Sequence, residues 1–247
     1  MRMIMKKRLY DDNVGFVELV DAVGDDLTVV NSARVSFGKQ KTELDKKDKK
    51  LIKYLIKHKH TSTLEHCFVT FRVKVPLFVR SQHHRHRTWS YNEISRRYTD
   101  FDIEFYEPEA FRTQHESNRQ ASNAEELINP KIMTSVFNED GDQWNGFFES
   151  KPCESSSLIK KHHQDSLDLF NSLIEAGVCR EQARGVLPQN MYTEYYASAN
   201  LNNILKFIDL RTHEGAQWEI QEMAKAMLEI ISKLYPVTVA AYKELRQ

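Results

Sequence analysis

The chain has 247 residues, and its 35 Lys plus Arg balance 35 Asp plus Glu to a formal charge of zero. That length supports one large or two small domains and a core that needs no staples. The balance excludes a generally polyanion-coated protein but not a local anion site, and 40% hydrophobic with 11% aromatic residues excludes wholesale disorder.

In chain order, Phe16–Val20 and Leu27–Val30 are apolar and β-prone, and they predict two short strands around Gly24-Asp25-Asp26. Asp45–Lys59 is basic, with Leu51, Ile52, Leu55 and Ile56 at helical spacing, which predicts an amphipathic helix with a solvated lysine face. Phe71, Val73 and Val75 alternate with Arg72 and Lys74, the pattern of a half-buried strand, and Pro76 then suits the first position of a helix. From about Asn118 to Ser157 periodicity fades, and Asn138-Glu-Asp-Gly-Asp and Ser155-Ser-Ser predict an irregular surface excursion. Helical spacing returns with Leu158, Leu167, Phe170, Leu173 and Ile174, closed by Gly177. Asn200 is placed to cap a helix through Leu201, Ile204, Leu205 and Ile208. A long helix follows through Ile220, Met223, Met227 and Ile230, stopping before Pro236. Strands early and helices late favour a single α+β domain with a central antiparallel or mixed sheet flanked by helices.

Cysteines mark the compartment. Cys67, Cys153 and Cys179 include no C-x-x-C pair, so no disulfide framework and no thiolate zinc site is expected. The start of the chain lacks the apolar core of a signal peptide, and no run reaches the ~20 apolar residues of a membrane span. The expectation is a soluble protein of a reducing, cytoplasmic compartment.

Chemistry concentrates after Gln82. The stretch Gln82-His-His-Arg-His-Arg-Thr-Trp-Ser-Tyr-Asn-Glu-Ile-Ser-Arg-Arg-Tyr98 carries four arginines and three histidines against one acid, Glu93. Guanidinium forks suit phosphate. Composition alone leaves three readings open: a solvated surface, a phosphate site, or a nucleic-acid face on which Trp89, Tyr91 or Tyr98 stacks against bases. His83, His84 and His86 lack a carboxylate or cysteine at matching spacing, so no metal is expected.

Order separates these readings. Arg85-His86-Arg87-x-x-Ser90-x-Asn92-Glu93-x-Ser95-x-Arg97-Tyr98 fits, in order and without a gap, the signature R-H-R-x-x-S-x-N-E-x-S-x-R-Y. The chain thereby resembles the flavin-dependent thymidylate synthases. The likeness extends to Asn31–Phe37, His60–His66, Phe111–Ser122, Ala183-Arg184-Gly-Val-Leu-Pro188, Leu210-Arg211 and Ala216–Ile220.

The resemblance implies methylation of dUMP at C5 to dTMP. Methylenetetrahydrofolate, a folate, is the carbon donor, FAD the hydride carrier, and NADPH its reductant. No G-x-G-x-x-G is present, so side chains must hold the flavin. By resemblance, the FAD contacts are Ser62, Arg85, His86, Arg87, Glu93, Asn200, Asn202 and Lys206. The nucleotide contacts are Gln82, His83, His84, Arg85, Glu93, Ile94, Ser95, Arg96, Arg97, Arg184 and Arg211. Arg211 is the expected catalytic residue, stabilising charge on the uracil edge; spacing alone favours a cation at a helix C-terminus, and the Leu210-Arg211 match reverses that preference. No cysteine is assigned a catalytic role, and Cys67 reads as a core thiol. The chain departs from the common family pattern at Asn202, Lys206 and Gly215, and at His83 and His84, where aromatic residues are frequent. The family implies a homotetramer in which Arg184 and Arg211 face a neighbour's Arg85–Arg97 segment. It implies neither a nucleic-acid nor a membrane partner. The surplus length falls on an expected surface insertion around 128–160 of one domain spanning 1–247.

Overall fold

A computed structural model describes residues 5–119, 121–138 and 147–246. In chain order the elements are β1 (Lys6–Arg8), β2 (Phe16–Val23), α1 (Asp26–Arg34), α2 (Lys46–Lys57), β3 (Phe68–Pro76), α3 (Leu77–His83), β4 (Ser90–Glu93), β5 (Phe111–Gln114), β6 (Ser122–Ile128), β7 (Lys131–Asn138), β8 (Phe147–Glu154), α4 (Ser155–Glu175), α5 (Arg180–Ala183), β9 (Tyr192–Asn200), α6 (Leu201–Arg211), α7 (Trp218–Leu234) and α8 (Pro236–Glu244). The class is α+β with antiparallel pairing in every described sheet. The chain forms two compact units, residues 1–94 with 192–247 and residues 95–191.

The first unit is built on a five-stranded sheet in the order β1-β2-β3-β9-β4. Its central pair is β3 with β9, in register from Phe68 opposite Asn200 to Pro76 opposite Tyr192. The alternation read in β3 decides which face is inside: Val69, Phe71, Val73 and Val75 are fully buried, and Tyr195, Ala197 and Ala199 of β9 share that core. Each such large apolar side chain contributes about 1.5–3 kcal/mol by leaving water. α7 covers the core with Ile220, Met223, Ala224, Met227 and Ile231, the i, i+3, i+4, i+7 stripe of an amphipathic helix.

The expected strand at Leu27–Val30 is instead the first part of α1. Asp25 accepts from the backbone N–H of Thr28 (2.8 Å) while Thr28 Oγ1 accepts from the N–H of Asp25, a reciprocal cap that starts a helix where β-branched residues alone suggested a strand. Gly24 makes the turn at φ +83°, and a Cβ there would lie 2.9 Å from Cys67 Sγ. α2 begins at Asp45 by the same device. Its buried Asp48 accepts from Arg34 Nε of α1 (3.1 Å) and from Lys41 Nζ (2.5 Å), tying α1, the following loop and α2 together. α8 starts at Pro236, and its first N–H groups are received by a buried carboxylate of α1: Asp26 accepts from Val237 N (2.8 Å), Thr238 N (2.8 Å) and Thr238 Oγ1 (2.6 Å).

In the second unit β5 pairs with β6 and β7 with β8, and α4 and α5 follow. The segment expected to be irregular is therefore largely two hairpins, and Ser155-Ser-Ser opens α4. These strands lack a strict buried alternation: Leu127, Ile132 and Met133 are exposed, so cross-strand backbone pairing rather than a hydrophobic stripe defines them. Most of the Asn138-Glu-Asp-Gly-Asp turn lies outside the described residues. His163 of α4 bonds Glu107 (2.8 Å) and stacks on Phe105 (ring centroids 4.7 Å). No helix among the described residues is long and apolar enough to cross a membrane.

Candidate active site

The end of α3 and the turn that follows it meet Arg211 at the end of α6. α3 ends at His83, a tight turn carries His84–Trp89, and β4 returns to pair with β9. α6 is started by Asn200, whose Oδ1 accepts from Asn203 N (2.9 Å), and it ends on Arg211. The capping expectation at Asn200 holds, and it fixes how far the helix carries Arg211.

The Arg211 guanidinium donates from Nε to His86 Nε2 (3.1 Å) and from Nη2 to the carbonyl of Gln82 (3.1 Å). Both acceptors are neutral. Burial, then the adjacent Arg211 charge, pushes the His86 pKa down to about 4, so the ring carries no charge at neutral pH. Burial and then Arg85 lower the pKa of Arg211 itself. Two arginines thus share a region in which neither has a carboxylate partner among the described residues. Arg87 is likewise exposed, with no carboxylate partner among the described residues. Such a region favours an anion.

Other expected site residues are engaged with the protein. Gln82 Nε2 donates to Gln217 Oε1 (2.5 Å), and Gln217 Nε2 donates to Glu219 Oε2 (2.9 Å). Glu93 lies 3.0 Å from Arg80 Nε as an ion pair and accepts from Thr193 Oγ1 (2.6 Å). Asn202 is buried and donates to Glu65 Oε1 (2.9 Å). Ser62, Ile94 and Lys206 are exposed, and Asn200 is spent on its cap.

Two of the expected nucleotide contacts have side chains buried within the protein. His83 is fully buried, its Nδ1 2.9 Å from Tyr195 Oη and its ring packed against Trp89, Tyr91 and Phe207. It is a core residue because the inner face of α3 lies over the sheet, and it presents no surface to a ligand. Arg96 is also buried, and its guanidinium donates to the carbonyls of Phe101 (2.6 Å) and Asp102 (3.2 Å), bracing a loop of the second unit. His84 is half-buried against Tyr91 (4.1 Å). Trp89, a candidate base-stacking residue, is buried as well. In the second unit Ser95 Oγ accepts from the Arg97 N–H (3.3 Å), Arg97 pairs with Glu181 (3.0 Å), and Arg184 is exposed with no ion pair among the described residues. Arg211 bonds the arginine-rich segment of its own chain, where the family pattern suggested a neighbour's.

Reasoning from the sequence did not single out Gln217, Tyr195 or Glu65. Gln217 and Glu65 stand inside two of the matching blocks, which was the available signal; Tyr195 offered none. Cys67 is buried, and burial, then Asp25 and Asp26, pushes its thiol up to about 12, so it stays protonated. No group of three or more His, Cys, Asp or Glu among the described residues is arranged to hold a metal.

An α+β antiparallel scaffold that gathers carboxylate-free arginines beside a helix end defines a protein built to receive phosphorylated ligands. Comparison with known proteins narrows that class. The profile of the thymidylate synthase complementing protein family matches residues 18–237. A flavin-dependent thymidylate synthase of Thermus thermophilus is 43% identical over 230 residues, covering 93% of this chain and 76% of the relative. One of Kosmotoga olearia is 40% identical over 228 residues, covering 92% and 90%. Among solved structures, the UMP/dUMP methylase PolB of Streptomyces cacaoi bound with 5-Br UMP superposes with a TM-score of 0.75 at 29% identity, covering 96% of both chains. The chain belongs to the flavin-dependent thymidylate synthase family.

Proposed function

We propose that this chain is a methyltransferase that converts dUMP to dTMP, with methylenetetrahydrofolate as carbon donor and FAD, reduced by NADPH, as its flavin. The observation that carries this reading is the Arg211 guanidinium, held by two neutral acceptors with its charge uncompensated. An arginine is too strong a base to lose its proton near neutral pH. Its part is to stabilise negative charge as that develops on the pyrimidine edge.

The donor set fits a flavin dinucleotide. Arg85 and Arg87 are exposed guanidiniums without carboxylate partners among the described residues, as a pyrophosphate requires. We assign to the same cofactor Ser62, Glu93, Asn200, Asn202 and Lys206; the ring of His86, expected there by resemblance, is instead turned to Arg211. Of these, Asn202 acts from within the protein through its bond to Glu65, and Lys206 offers an exposed ammonium. Bound flavin supplies the hydride, the step no side chain here can perform. Gln82, His84, Arg85, Glu93, Ile94, Ser95, Arg97 and Arg184 are assigned to the nucleotide, with Arg97 and Arg184 as phosphate donors. Arg97 must leave its exposed pair with Glu181 to do so, which is inexpensive for a solvated ion pair. The family match over residues 18–237 supports one synthase domain, and residues 128–160 are our candidate for a surface insertion within it. Free cysteines accord with a reducing, cytoplasmic setting.

The test is tritium release from C5-labelled dUMP with folate and NADPH supplied, run in parallel with UMP. The expected result is turnover on dUMP, reduced about 100-fold or more in Arg211→Ala with flavin retained. Undiminished turnover in that variant removes Arg211 from the reaction. Turnover on UMP alone replaces the substrate.

A further inference from the structure

Between the exposed Arg85 and Arg87, the ring of His86 turns into the protein. It meets Phe207 edge-on (centroids 4.9 Å, 79°) and lies 6.3 Å from the neutral His83 ring. Its backbone is held as firmly: the N–H donates to the carbonyl of His83 (3.0 Å), and its carbonyl accepts from Tyr91 Oη (3.1 Å). A ring so fixed has one direction in which to point Nε2, and Arg211 Nε is there.

Which atom holds the shared proton follows from chemistry. Arginine has no acceptor, so the hydrogen belongs to Nε and the lone pair to His86 Nε2, which places the ring's own proton on Nδ1. A carboxylate at this position would bind the guanidinium more strongly and cancel its charge. An imidazole supplies the hydrogen bond and leaves the charge.

We infer that His86 is a positioning residue: with the Gln82 carbonyl, its Nε2 fixes the Arg211 guanidinium in one orientation without neutralising it, so that the charge faces the nucleotide. This rests on the proposed function, and it separates His86 from Arg85 and Arg87, whose free guanidiniums address phosphate directly. The low basicity of the ring serves this arrangement, because a protonated His86 would become a donor and repel Arg211. Among the described residues, the charged and titratable groups around His86 are Arg211, His83, Tyr91 and the flanking Arg85 and Arg87, none of which favours its cationic form.

The test uses the flavin-loaded protein. dUMP binding is titrated for wild type, His86→Leu, His86→Gln, Arg211→Ala and the double variant His86→Leu with Arg211→Ala. Loss of the brace in His86→Leu is expected to weaken dUMP binding about 10- to 100-fold, the scale of losing one hydrogen bond to a charged group. His86→Gln, which keeps a neutral acceptor, recovers most of it. The double variant binds no worse than Arg211→Ala alone, because His86 acts only through Arg211. Additive losses overturn the inference, as does flavin release from His86→Leu with dUMP affinity intact, which would make His86 a cofactor contact. Nitrogen-15 spectra of the ligand-free protein read the brace independently: a neutral His86 with an unprotonated Nε2 supports it, and a protonated Nε2 overturns it. If wild type fails to bind dUMP while the spectra show the brace, the functional reading fails and the geometry stands.

Discussion

His83 shows what burial does to a single titratable group. Burial, then His86, His84 and Arg211, hold its pKa well below the ordinary histidine value, so the native state binds no proton there while the unfolded chain does so near 6.5. The unfolded state therefore takes up more protons below that pH, and the stability due to neutral His83 is complete above 6.5 and falls as the medium is acidified. His83→Phe removes this dependence. It also strips Tyr195 Oη of its partner, at about 1–2 kcal/mol. Urea midpoints at pH 7.5 and pH 5 are expected to converge for the variant relative to wild type; equal acid losses in both would show that His83 contributes nothing to the slope. Nothing in the run Gln82–Arg87 distinguished this histidine from its neighbours, because a residue's side of a short helix depends on where that helix lands. The arginines were legible for the opposite reason: their order matched a fixed pattern.

At the scale of elements, the helices were read well where a cap announced them and poorly where it competed with β-branched residues. Asn200 before an apolar stripe located α6, whereas Leu27–Val30 looked like a strand until Asp25 and Thr28 closed their reciprocal cap. The hairpins β5–β6 and β7–β8 escaped notice because their exposed faces carry Leu127, Ile132 and Met133 rather than a clean alternation. The start of α8 was equally hidden, for its partner lies in α1. There Asp26 receives three donors, and Asp26→Ala leaves the half-buried N–H of Val237 and the buried N–H of Thr238 unsatisfied. Each such group costs about 1–3 kcal/mol, so a loss of about 3 kcal/mol in chemical denaturation is expected, with Asp26→Asn intermediate. A loss under about 0.5 kcal/mol, the size of a typical surface substitution, would mean that water replaces the carboxylate freely.

For the whole molecule, neutral net charge and a local surplus of arginine belong together: the surplus is useful only where the rest of the surface does not compete for the same anions. The described surface also exposes Phe37 (78%), Tyr98 (81%) and Phe101 (78%), large aromatics that a solitary chain gains nothing by showing. A homotetramer, the assembly that the resemblance implies, is an arrangement that would cover them. Light scattering at micromolar concentration is expected to give four times the chain mass, and a monomer there would dismiss the shared-site arrangement. No sequence spacing conveyed this, since an interface residue and a core residue carry the same apolar pattern.

The pairing of β3 with β9 has a consequence for how the polypeptide is made. Arg72 and Glu194, joined across the two central strands, are 122 positions apart, and the whole second unit is synthesised between them. While translation proceeds, β3 waits with one hydrogen-bonding edge bare, and the terminal α8 that Asp26 caps arrives last of all. The central sheet therefore cannot close until β9 has been made, and until then β3 keeps an unpaired edge of the kind that slows folding and invites aggregation.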